Sequence, residues 1–144
     1  MSALKIILVA TDFSAAAETA LDFALPLAAT LGAKVYLLHA YQLAPSSILI
    51  EAGQFVLGPT AWAEKGLADC VAKRKESSVE IIPMLRQADA REAVLEVAQE
   101  ISADLVIMGT HGRRGFVRAL IGSVAEAVVR ACPVPVLTVH AAAA

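Results

Sequence analysis

Short apolar runs alternate with stretches of helical spacing along the whole chain, and this alternation limits the possible folds more than any other feature. The runs are LKIILVA (4–10), KVYLLHA (34–40), VEIIPMLR (79–86), DLVIMG (104–109) and VPVLTV (134–139). Each is short, rich in Val, Ile or Leu, and stopped by polar or turn residues, as expected of strands buried on both faces. Proline cannot donate to a ladder, so Pro83 places the third run at an edge or a bulge and Pro135 places the fifth at an edge. Strands that alternate with helices pair in parallel and carry helices on both faces. The expected fold is therefore α/β, within one domain spanning residues 1–144.

The intervening segments read as helices with recognisable ends. Ser14 is an N-cap, Ala17, Leu21, Ala24, Ala28 and Leu31 follow on one face, and Gly32 stops the helix. Pro26 interrupts that pattern and predicts a kink. A second helix spans 59–78 with Pro59 in its first turn. Asp89 and Glu92 have the spacing of a capping box before Val94, Val97, Ala98 and Ile101. Ser123 and Glu126 repeat that spacing, with Ser123 as the expected cap, before Val124, Ala127, Val128 and Ala131. Residues 41–58 have no steady period and read as an irregular connection.

Composition narrows the function classes. The net charge is −2, so the molecule as a whole offers no basic field to nucleic acid. No apolar run approaches the ~18–20 residues of a membrane span. The opening MSALKIILVATDFS lacks a signal peptide's long apolar core and cleavage site, which predicts a cytoplasmic protein. Cys70 and Cys132 are isolated thiols without a ligand cluster, consistent with a reducing compartment and with ordinary packing or surface roles.

In an open α/β sheet, ligands bind beyond the carboxyl ends of the strands. The segment GTHGRRGFVRALIGS (109–123) follows the fourth run and carries Gly109, Gly112, Gly115 and Gly122 with Arg113, Arg114 and Arg118. From Leu105 to Ala125 there is no acidic residue. The segment ends where a helix begins, and a helix N-terminus offers unpaired amides and partial positive charge to an anion. A surface loop with an ordinary capped helix after it explains the same residues. Asp12, after the first run, could accept from a ribose hydroxyl or a base N–H, or it could simply start the next helix. His111 is a solvated loop residue or a base. His39 and His140 read as structural or exposed. There is no G-x-x-x-x-G-K-[ST], and ATDFSA at 10–15 is not a G-x-G-x-x-G turn.

Gly109 and Gly112, then nine residues, then Gly122 and Ser123, flanked by DLVIMG and SVAEAVVRACPVPVL and preceded by ILVATDFS, resemble the universal stress protein family. The resemblance runs the whole length and implies a five-stranded parallel sheet in the order 3-2-1-4-5. Matched to ATP-binding members, it implies that Ala10, Thr11, Asp12 and the backbone of Ala40 surround adenosine, with Met108 and Gly109 on the other side. Gly112, Arg113, Gly122, Ser123, Val124 and Ala125 would hold phosphates. The implied ligand is ATP, with AMP and ADP as alternatives and any Mg or Mn carried by the nucleotide. The family commonly dimerises through its last strand, here residues 134–139, where Pro135 would leave carbonyls free on one side. The functions open at this point are a nucleotide-binding stress-response module acting as a homodimer, a slow ATP hydrolase using His111, and an interaction module without nucleotide. The family often has a glycine in the turn after the third strand, where this chain has RQADAR.

Overall fold

The first apolar run forms the middle of the sheet. In a computed structural model, which describes residues 3–42, 58–110 and 121–140, β1 (Ile6–Ala10) lies between β2 (Lys34–Tyr41) and β4 (Leu105–Gly109). Outside these are β3 (Ile81–Gln87) and β5 (Val136–Val139), so the order is β3-β2-β1-β4-β5. All pairings are parallel, with Ile7 opposite both Val35 and Leu105. This is the order that the family resemblance implies.

Alternate residues of the central strands feed two cores, which is why these runs are apolar throughout rather than at every second position. Ile7, Val9, Val35, Leu37 and Ile107 face α1 (Ala15–Leu31) and α2 (Pro59–Ala72). Leu8, Leu38, Val106 and Met108 face α3 (Ala90–Glu100) and α4 (Ser123–Ala131). The chain therefore builds outward from β1 to β3 with α1 and α2 on one face, then returns to β4 with α3 and α4 on the other.

Local chemistry sets most helix ends as expected. The Ser14 hydroxyl accepts from the Ala17 amide, and Gly32 takes the left-handed conformation at φ 65°. Pro26 lies within α1 without ending it, although its missing N–H leaves the Asp22 carbonyl without a helical donor. Asp89 accepts from the Arg91 and Glu92 amides and starts α3 directly, so the turn after β3 needs no glycine. Arg91 beside Asp89 lowers that carboxyl's pKa, and the two backbone bonds act in the same sense.

Several boundaries differ from the sequence reading. α2 ends at Ala72 rather than at 78. Beyond it, Arg74 turns back to pair with Glu18 and Asp22 of α1 and to donate to the Cys70 carbonyl, an arrangement that ends the helix. β3 starts at Ile81, and as expected it is an edge strand with Pro83 opposite Leu37. β5 starts at Val136, and the Pro135 carbonyl is not free: it accepts from the Val106 amide. Residues 43–57 of the irregular connection lie outside the described residues.

The cysteines do what their isolation predicts. Cys70 is buried and its thiol donates to Glu18. Burial, then the Glu18 hydrogen bond and charge, push its pKa up to about 11, so it is a thiol at neutral pH. Burial alone would raise the Glu18 carboxyl, but its bonds to Arg74 and Cys70 outweigh that and lower it.

Candidate functional site

Where the winding reverses between β1 and β4, the first turns of the chains leaving the sheet separate and open a cleft of ≈ 360 Å³. Ala10, Thr11 and Asp12 enter it from β1, Ala40 from β2, and Met108 and Gly109 from β4. Gly122, Ser123, Val124 and Ala125 close it at the start of α4. These are the residues singled out in the sequence. Gly112 and Arg113 lie outside the described residues, as do His111, Arg114 and Arg118.

The turn after β1 is fixed by its own side chains. The Thr11 amide donates to the Leu38 carbonyl at 2.8 Å, and the Thr11 hydroxyl accepts from the Phe13 amide at 3.0 Å. Asp12 Oδ1 accepts from the Ser14 amide at 2.9 Å. Asp12 therefore has the local helix-starting role that the sequence allows. Its second oxygen has no acceptor duty among the described residues, and Asp12 lines the cleft. His39 Nδ1 lies 2.8 Å from the Thr11 carbonyl. A carbonyl only accepts, so Nδ1 carries the proton and the buried imidazole braces this turn.

The start of α4 corrects the expected cap. Gly122, at φ −59° and ψ 154°, is the N-cap, and no side chain caps the helix. The Gly122 carbonyl accepts the first helical bond, from Glu126, which places Ser123 one residue inside the helix. The letters S-x-x-E are the same in either frame. Glu126 pairs with Arg130 at 2.9 Å, one turn on, instead of folding back over the N-terminus. The Gly122 amide is also spent, donating to the Thr110 carbonyl. The amides of Ser123, Val124 and Ala125 have no acceptor among the described residues, and they stand at the positive end of the helix dipole.

Thr110 ties the end of β4 to the start of α4 and to β5. Its amide donates to the Val139 carbonyl at 3.0 Å and its hydroxyl contacts His140 Nδ1 at 3.2 Å. Gly109 is set by packing: a Cβ there would lie 2.8 Å from the carbonyl carbon and oxygen of Ala16. Its glycine character serves the close approach of α1, while its backbone faces the cleft.

Sequence reasoning missed the apolar wall. Leu38, Ala90 and Val94 line the cleft with Met108. Val94 sits on the apolar stripe of α3, and a stripe does not reveal that the start of the helix borders a cleft. Among the described residues, the site has apolar sides, the Asp12 carboxylate and a row of amides without an acceptor. Such a site suits a flat, largely apolar ring system joined to an anion. Among the described residues, no cluster of His, Cys, Asp or Glu is placed to hold a metal ion, and no helix is long and apolar enough to cross a membrane.

Comparison with known proteins agrees with this architecture. The profile of the universal stress protein family matches residues 3–140. Universal stress protein MJ0531 of Methanocaldococcus jannaschii is 31% identical over 138 residues, covering 94% of this chain and 81% of that protein. A universal stress protein solved in complex with cAMP is 27% identical, with a TM-score of 0.75 over 98% of this chain and 100% of that one. A universal stress protein family member from Burkholderia pseudomallei is 30% identical, with a TM-score of 0.69 over 96% of this chain and 98% of that one. With its strand order, its cleft at the reversal and a family match across nearly its whole length, this chain belongs to the universal stress protein family.

Proposed function

We propose that the chain binds an adenine nucleotide in the cleft at the β1–β4 reversal. The preferred ligand is ATP, with AMP and ADP as shorter alternatives, and any Mg or Mn arrives with the nucleotide. The observation that carries this reading is the placement of Asp12 and the unpaired amides of Ser123, Val124 and Ala125 around one apolar cleft. The ring system would lie against Leu38, Val94 and Met108, Asp12 would take a hydrogen bond from the ribose or base, and the α4 amides would hold phosphate. The relative solved with cAMP supports an adenine ligand.

Calorimetric titration with ATP tests the reading. Wild type is expected to bind, with ADP competing. Asp12→Asn keeps an oxygen for the Ser14 amide but removes the charge, and is expected to weaken ATP binding by about tenfold or more with the fold intact. No heat and no competition at millimolar nucleotide would reject the proposal.

We further propose a cytoplasmic stress-response role in which occupancy alters how a homodimer meets its partners, with the dimer formed through β5. The carbonyls of Pro135 and Val139 point to β4. Strand hydrogen-bonding groups alternate in direction, so those of Val136 and Thr138 point to the open edge. Thr138→Pro removes one outward N–H at a position where an edge strand tolerates proline. It is expected to convert dimer to monomer in sedimentation velocity; an unchanged dimer would place the interface elsewhere.

A further inference from the structure

We infer that Phe13 is a positioning residue for the cleft, acting through Asp12 from the opposite side of the turn; the functional part of this inference rests on the nucleotide reading. Phe13 is a non-glycine residue with φ of 64°. That conformation is uncommon for a bulky side chain and must be held by its surroundings. It splits the turn between two cavities. Asp12 and Ser14 line the cleft at the reversal, whereas Phe13 lines a separate hollow with Glu18, Trp62 and Gly66.

The Phe13 ring is half-buried among aromatic and backbone groups. Its centroid is 4.4 Å from His39 and 5.5 Å from Trp62, the latter edge-on. His39 also holds the Thr11 carbonyl, so one imidazole braces the residues on either side of Asp12. On the remaining side stands Gly66 of α2, where an added Cβ would lie 2.6 and 2.7 Å from ring atoms of Phe13. Glycine within a helix is unfavourable in itself, and here its absence of a side chain gives the ring its seat. The ring thereby keeps the backbone in the left-handed conformation that aims the Asp12 carboxylate at the cleft. α2, which lines no part of that cleft among the described residues, becomes coupled to it through one side chain.

The test uses Gly66→Ala and Phe13→Ala in the full chain, each alone and combined with Asp12→Ala. Either single substitution is expected to weaken ATP binding by about five- to tenfold, and to have less than about a twofold effect once Asp12 is removed. Equal losses in both backgrounds, or no loss with Asp12 present, would overturn the inference. A ligand-free readout stands beside it. The Ser14 amide, bonded to Asp12 Oδ1, is expected to exchange with deuterium about tenfold faster in Gly66→Ala. Unchanged Ser14 exchange would overturn the positioning role whatever the nucleotide result. Failure of wild type to bind ATP would overturn the nucleotide reading alone, leaving Ser14 exchange to decide the role of Phe13.

Discussion

Ser123→Pro is expected to leave α4 folded and to lower ATP affinity by about one to two orders of magnitude. The helix tolerates the change because Ser123 is its first residue, where proline is favoured and no helical bond needs the amide. The residue before a proline is pushed toward extended backbone, and Gly122 already has φ −59° and ψ 154°. The substitution therefore removes one of the amides proposed to hold phosphate, along with the hydroxyl, at little structural cost. A charge-assisted hydrogen bond contributes roughly 1.5–3 kcal/mol, which corresponds to the expected loss. Ser123→Ala separates the two groups. Since Ser123 is not the cap, this change should alter stability by less than about 0.5 kcal/mol, rather than the ~1 kcal/mol of a lost cap. Calorimetry for affinity and thermal unfolding for stability check both variants. Full ATP affinity in Ser123→Pro would remove that amide from the site.

Gly109→Ala is expected to damage the fold itself. A single methyl at this position meets backbone, with the Ala16 carbonyl carbon and oxygen at 2.8 Å, so no side-chain rotation relieves the contact. α1 must move away from β4, and overpacking of this kind costs about 1–3 kcal/mol. For a chain of this size each kcal/mol lowers the melting temperature by roughly 2–4 °C. A fall of several degrees in a circular dichroism melt is the expected result. Because α1 starts only five residues after β1, its movement should also disturb the Asp12 turn and weaken ATP binding. An unchanged melt would mean that α1 has room to yield.

Ser123 and Gly109 illustrate what the amino-acid sequence can and cannot convey. The strands were legible because the central ones are buried on both faces, giving unbroken runs such as IILVA and LVIMG. Their spatial order was not legible from periodicity; it came from the family resemblance. The end of α2 is not legible, because Arg74 leaves the helix to reach Glu18 and Asp22, a contact made only in three dimensions. The polar rim of the cleft was found because Asp12 and Ser123 follow strands or start helices. Its apolar wall was hidden because Leu38 and Val94 look like any other core residue. Gly109 lines the cleft, yet the packing of Ala16 accounts for its lack of a side chain. Nothing in the letters TDFS announces that Phe13 takes a left-handed conformation.

The role of the α4 N-terminus can be read most directly by nuclear magnetic resonance of the uniformly nitrogen-15-labelled chain titrated with ATP. The amides of Ser123, Val124 and Ala125 should shift together and saturably, in step with those of Asp12 and Ser14 across the cleft. Unmoved resonances at these positions up to millimolar ATP, or shifts confined to another face, would contradict nucleotide binding at this site.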